Sequence, residues 1–282
     1  MASVSAKQLK NRIRSMRATR QITKAMEMVA SSKLRKAQEQ AIAAKPYFET
    51  LCSVLENIAG TNKGLRSPYT KVSAGEKTLY VVIAGDRGLA GGYNNNILKL
   101  VRSRIGDSGS YILPVGKKAE EFFWNNRVAN ADIQYSPAAE ITIGDCFTLS
   151  KQICKRLYDG KYDRVCVAYT EFVSVLSQQP QIRQILPLEQ PQMIHKAGQA
   201  VLYEPNIEEV FETIIPEYVG GVLYGALCES RASEYAARRI AMDAATKNAD
   251  EMITDLGLMY NRVRQGAITQ EITEMIAGVE RS

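Results

Sequence analysis

EYVGGVLYGALCESRASEYAARRIAMDAATKNADEMITDLGLMYNRVRQ, residues 217–265, holds no proline and is dominated by helix-forming residues. Apolar or small residues recur in it at alternating steps of four and three: Val219, Leu223, Ala226, Ser230, Ser233, Ala237, Ile240 and Ala244. That is the spacing of a coiled-coil seam. The seam is mostly Ala and Ser, so a partner helix approaches closely while little apolar area is buried per contact. The pattern outruns the roughly 8–20 residues of an ordinary globular helix. At about 1.5 Å per residue it predicts a helix of roughly 70 Å or more. A helix of that length must leave any domain of this size or be paired along its length.

The amino-terminal end supplies the partner. Residues 5–59 read as a second long helix, with Leu9, Ile13 and Met16 on one face and Ile22, Met26, Val29 and Leu34 continuing it after a slight shift. Ala37, Ala41 and Ala44 follow. Pro46 is expected to interrupt or kink the pattern, which resumes through Tyr47, Leu51, Val54, Leu55 and Ile58 and stops at Gly60. Two such helices at opposite ends of one chain pair only if the residues between them form a unit that brings them together.

Those residues alternate. After a loop over 61–75, TLYVVIAG is a continuous apolar run, typical of a strand buried on both faces. NNNILKLVRSRIG is helical, SYILPVG a strand, KKAEEFFWNN helical, ADIQYS a short strand, CFTLSKQICKRLYDG helical and DRVCVAYTEF a strand. QIRQILPL, with prolines near both ends, suits a sheet edge. This alternation implies βαβ units and a mostly parallel sheet. Residues 191–206 read as a linker, 207–215 as a short helix, and Pro216 as the first turn of the long one.

The chain has 282 residues and a net charge of +6, unevenly placed. Residues 1–36 carry ten Lys or Arg against one acid, Glu27, so this segment is +9 and the remainder −3. Either this is a solvated helix face, or it is built for an acidic partner surface. Nucleic acid is disfavoured, because no aromatic is interleaved among the charges and no nucleic-acid-binding motif is present. No run of about 18 apolar residues suggests a membrane span. The basic, amphipathic amino terminus lacks the apolar core of a secretion signal, and its helical pattern continues unbroken, so it is expected to be mature sequence. Five cysteines with no CxxC pair fit free thiols in a reducing compartment.

Candidate chemistry is thin. Gly85-Asp86-Arg87-Gly88-Leu89-Ala90-Gly91-Gly92-Tyr93-Asn94 follows the first strand, where a dinucleotide fold holds phosphate. Its spacing is GxxGxxG and no GK[ST] follows. A tight crossover using small residues and positive φ is the alternative to nucleotide binding. His195 is the only histidine and sits in the linker, so a His-based metal site is not expected. Asp243, Asp250, Glu251 and Asp255 lie among Arg238, Arg239 and Lys247 and read as solvated helix partners. Met16, Met26, Met28, Met252 and Met259 read as seam fillers. The residues thus favour a mechanical or interaction role. A nucleotide-binding α/β enzyme with helical arms, and a coiled-coil adaptor or nucleic-acid binder, remain alternatives.

Specific strings carry a resemblance. Ile22-Thr23-Lys24-Ala25-Met26-Glu27-Met28-Val29-Ala30, running on to SSKLRKAQ, resembles the amino-terminal helix of the γ subunit of F-type ATP synthase. Ile268-Thr269-Gln270-Glu271-Ile272-Thr273-Glu274 with Gly278 is similar to that family's carboxyl-terminal signature, although Val279 stands where Ala is usual. GDRGLAGGYN resembles its central turn, and SEYAARRIAMDAATKNADEMI its long last helix. The chain lacks the cysteine-pair insertion of plant chloroplast γ subunits, and it looks bacterial in type.

The resemblance implies an α/β fold: a long antiparallel coiled coil of residues 1–60 and 207–282 plus a central Rossmann-like α/β domain over 76–190. It implies a rotor shaft, with no catalytic residue and no cofactor, that couples rotation of the membrane c-ring by ion flow to ATP synthesis or hydrolysis on β subunits. The implied partners are the α and β subunits of the α3β3 head, the ε subunit and the c-ring. No nucleic acid partner and no direct membrane insertion are implied, and the location is peripheral on the cytoplasmic side of the cell membrane. Carried over by position, Met26 faces an acidic β loop beside Lys24, Lys33, Arg35 and Lys36, while Arg264, Gln265 and Thr269 meet a second β loop. Simple seam packing is the other reading of Met26.

Overall fold

The computed structural model describes residues 5–61, 67–70, 77–106, 109–126, 128, 137–188 and 204–279. Its elements are α1 (Ala6–Thr61), β1 (Thr78–Ile83), α2 (Tyr93–Arg104), β2 (Ser110–Val115), α3 (Lys117–Asn125), α4 (Ile143–Tyr158), β3 (Arg164–Phe172), β4 (Gln178–Leu186) and α5 (Ile207–Val279). The expected strand over 131–136, most of the linker and His195 lie outside the described residues. The chain divides into two compact units, Met1–Ser31 with Arg238–Ser282, and Ser32–Ala237.

In the Ser32–Ala237 unit the four strands run in the order β2-β1-β3-β4. β1 is parallel to β2 and β3, and β4 is antiparallel to β3. The expected alternation and the edge strand both appear. The apolar run of β1 is explained by burial on two sides. Leu79, Val81 and Ile83 join α4 and α5 in one cluster, while Val82 joins Ile97 and Val101 of α2 and Phe123 of α3 in another. Helix α4 begins at a capping box: Thr142 Oγ1 accepts from Asp145 N–H, and the Asp145 carboxylate accepts from Thr142 N–H at 2.8 Å.

Two expectations about proline change: no interruption falls at Pro46, and Pro216 does not lie in the first turn of its helix. α1 runs through Pro46 and α5 runs through Pro216 without a break. A proline inside a helix costs about 3 kcal/mol, and buried residues on both sides offset it. Leu34 and Ala37 precede Pro46, with Leu55 and Ile58 after it. Phe211 and Ile215 precede Pro216 and Val219 follows, all in one cluster. Residues 207–215 are therefore the start of α5, opened by Asn206, whose side chain accepts from Glu209 N–H at 2.8 Å.

The first half of the expected seam has a different partner. Val219, Leu223 and Ala226 pack on the sheet and α4 in the main cluster. Ser230 and Ser233 bracket the backbone of one residue of β3: Thr170 N–H donates to Ser230 Oγ (3.1 Å) and Ser233 Oγ donates to Thr170 C=O (3.1 Å). β1 pairs β3 only as far as Ala168, and Thr170 stands opposite Pro180 of β4, so the helix serines satisfy backbone groups that no strand takes up. Also in this unit, Leu34 and Ala37 of α1 pack with Ala232 and Ala236 of α5.

In the unit of residues 1–31 and 238–282 the two helices are antiparallel. Arg20 pairs with Asp250 at 3.1 Å and Thr23 Oγ1 meets Thr246 Oγ1 at 2.8 Å. Among the buried or half-buried positions of α5 here, Met242, Thr246, Ala249, Ile253, Leu256, Tyr260 and Val263 recur in steps of four and three. Ile240 and Ala244, expected in the seam, are exposed. The seam of this unit is therefore offset by two residues from the run that begins at Val219. A 3.6-residue helix drifts against a 3.5-residue repeat, and one template was laid across two packing environments. On α1 the seam is Leu9, Ile13, Met16, Thr23 and Ala30, while Ile22 and Val29 point outward.

Candidate interaction surface

The glycine turn resolves first. Asp86 Oδ1 accepts from Lys117 N–H (3.0 Å) and Ala138 N–H (3.2 Å), and Oδ2 accepts from Ala139 N–H (2.9 Å). The first amide of α3, the helix after β2, is thus met by the chain's own carboxylate. Gly85 N–H donates to Asn94 Oδ1 at 2.8 Å, and a Cβ on Gly85 would lie 3.0 Å from the Glu234 carboxyl of α5. Positive φ falls on Gly91 and on Leu89, at 55° and 63°, and not on Gly88. Arg231 of α5 donates from Nε to Ala138 C=O (2.9 Å) and from Nη2 to Ile141 C=O (2.8 Å). The turn is a staple between the sheet, the loop before α4 and α5. The crossover reading accounts for every one of these contacts.

The residues expected to meet partners lie on the two long helices. In the unit of residues 1–31 and 238–282, Lys24 is exposed and bonds Glu27 at 2.9 Å, and Met26 is half-buried. Arg264, Gln265 and Thr269 are exposed, with Thr269 Oγ1 donating to Gln265 C=O at 3.0 Å. In the other unit, Lys33 lies 5.6 Å from the Tyr235 ring centre, Arg35 bonds Glu39 at 3.1 Å and Lys36 is exposed. None of these cations is consumed by a buried pair.

The acids expected to be solvated partners divide. Asp243 bonds Lys247 along the helix at 2.8 Å, whereas Asp250 reaches across to Arg20. The Lys247 ammonium, with Lys24 and Arg239 nearby, holds the Asp243 carboxyl below its usual range.

The methionine expectation is half corrected. Met16 and Met26 are half-buried, but Met28, Met252 and Met259 are exposed. So are Leu258, Ile268, Ile272 and Met275. The last three recur at steps of four and three and form an apolar stripe on one face of α5, with no seam beneath them. Their spacing was visible in the sequence, and what hid them was the rule that an apolar stripe faces a core. An exposed apolar stripe on a polar helix marks a surface for another protein. Among the described residues no helix is long and apolar enough to cross a membrane.

The sequence model of the ATP synthase family matches residues 5–281. An ATP synthase gamma chain of Ruminococcus albus is 45% identical over 274 residues, covering 95% of this chain and 96% of its own length. The chain belongs to the ATP synthase gamma chain family. Among solved structures, the central stalk and c-ring of Tetrahymena thermophila mitochondrial ATP synthase contains a chain matching with a TM-score of 0.61 at 25% identity, over 79% of this chain and 99% of that one. A chain of the Euglena gracilis mitochondrial ATP synthase reaches a TM-score of 0.69 at 20% identity, over 98% and 93%, and shares the fold. The gamma chain is a stalk subunit in this family. Its long helices and mixed four-stranded sheet are therefore family architecture, and its exterior is where function is sought.

Proposed function

We infer that this gamma chain is the rotor shaft of a bacterial F-type ATP synthase, with catalysis carried out on β subunits. The carrying observation is family membership over nearly the whole chain, joined to helices whose outward faces are basic on α1 and apolar at the end of α5. The reading assigns residues 1–60 and 207–282 to the shaft and 76–190 to the domain that meets the ε subunit and the c-ring. It places the complex at the cytoplasmic side of the cell membrane, with this chain peripheral.

Physics suits the task. A shaft turning in a sleeve must be stiff yet bind its sleeve without a deep well at any one angle. Two long antiparallel helices packed along a shared seam give stiffness along the axis. Coupling is then differential affinity of the shaft for the conformations of β. Lys24, Lys33, Arg35 and Lys36 supply positive charge toward an acidic β loop around Met26, and Arg264, Gln265 and Thr269 meet a second loop.

Purification of a tagged chain from its own membranes tests the assembly. α, β and ε subunits are expected with it, and their absence overturns the reading. The Met26 contact is tested separately with Met26→Lys. An added charge beside an acidic loop deepens one angular well, so ions pumped per ATP hydrolysed in inverted vesicles should fall. An unchanged ratio refutes this role for Met26.

A further inference from the structure

A cavity of about 420 Å³ opens in the Ser32–Ala237 unit, lined by Ile42 of α1, by Val222 and Tyr218 of α5 and by residues of β3 and β4. Its volume is within the range of small-molecule sites. Its polar groups are Glu229, Arg183 and the hydroxyls of Tyr169 and Tyr218. Glu229 Oε2 is buried and finds no hydrogen-bond partner among the described residues. The Tyr169 hydroxyl already accepts from Gln181 Nε2 at 2.8 Å. Arg183 is exposed. A second carboxylate, Glu171, acts on Glu229 together with Arg183, so these three charges sum to −1.

We propose that this cavity binds a primary organic amine with an aromatic or aliphatic body, its ammonium group donating to Glu229 Oε2. A buried carboxylate oxygen without a donor is costly, and an ammonium supplies both the donor and the missing charge. The Tyr169 and Tyr218 rings offer faces that attract a cation. The apolar wall accepts the body of the ligand. A hard metal ion is a poorer match, because it requires six or more oxygen ligands. An anionic ligand meets net negative charge.

Cys52 lines the same cavity and is half-buried as a residue, while the other four cysteines are buried. It therefore reports occupancy. The full-length chain is treated with N-ethylmaleimide at neutral pH, with and without millimolar phenethylamine, and modification of the Cys52 peptide is followed by mass spectrometry. Phenethylamine is expected to slow the modification, and the uncharged phenethyl alcohol is not. In Glu229→Gln the amine concentration giving half protection should rise about tenfold or more, as for loss of a charge-assisted bond. Val222→Phe, with the carboxylate intact and folding checked by circular dichroism, should abolish protection by filling the cavity. The proposal is overturned by equal protection from amine and alcohol, by no protection in the folded chain, or by protection that survives Val222→Phe.

Discussion

Glu229 shows how one residue is set against its surroundings. Burial raises its carboxyl pKa, the charge of Glu171 adds to the rise, and Arg183 opposes it. The folded chain therefore holds this proton more tightly than the unfolded chain does. The stability associated with it is full below the unfolded pKa, near 4.3 for a typical Glu. It is lost as pH climbs through the raised folded value, and above that the ionised, part-buried carboxylate is a standing penalty. Glu229→Gln should accordingly raise the urea midpoint at neutral pH, with the difference shrinking to nothing below about pH 4. A variant less stable than the parent at pH 7 would show that Glu229 is satisfied by a partner. Nothing in the local sequence CESRASEY marks this residue. Its environment is made by α1 and by β3 and β4, far away along the chain, so its strain was not legible from spacing.

The elements were largely legible, and the places where they were not share one cause. The period-two and period-3.6 patterns located the strands and helices of the central segment because each is buried on faces that its own residues define. Pro46 and Pro216 misled because a local cost of about 3 kcal/mol was weighed without the buried residues flanking them. Ser230 and Ser233 kept the right spacing but met a strand and not a helix. Their job can be tested: Ser230→Ala with Ser233→Ala removes both hydrogen bonds to the buried Thr170 backbone. Each loss costs about 1–3 kcal/mol, and better helix propensity returns at most about 0.5 kcal/mol per site. The pair should lose about 1–5 kcal/mol in urea unfolding, and a change below about 0.5 kcal/mol would mean that water replaces the hydroxyls. Gly220 poses a sharper contest between effects. Propensity alone promises about 1 kcal/mol of gain for Gly220→Ala. However, an added Cβ would run into the Phe147 ring of α4, and Ser150 Oγ would be 3.1 Å away. Overpacking of this kind costs about 1–3 kcal/mol, so Gly220→Ala should be net destabilising, and adding Phe147→Leu should recover much of the loss.

Across the molecule, stability and partner binding draw on different residues. Among the described residues, the clusters of buried side chains belong to the Ser32–Ala237 unit. The other unit buries few large residues, Leu9 and Met242 among them, and leaves Ile22, Leu258 and Met275 in solvent. A chain selected only for its own stability would not keep exposed apolar side chains on a helix beside lysines and arginines. This division predicts a separation that a purely structural role would not produce. Ile268→Ser, Ile272→Ser and Met275→Ser together remove apolar area already exposed to water, so the isolated chain should change in stability by no more than about 0.5 kcal/mol per site. In the inferred rotor the same face lies against the sleeve of α and β subunits. The triple variant should therefore assemble with purified α and β less tightly, with more free chain at equal concentrations in analytical ultracentrifugation. An unaltered assembly constant would remove the stripe from the interface. A large fall in the urea midpoint of the isolated chain would instead show that the stripe is covered by the chain itself.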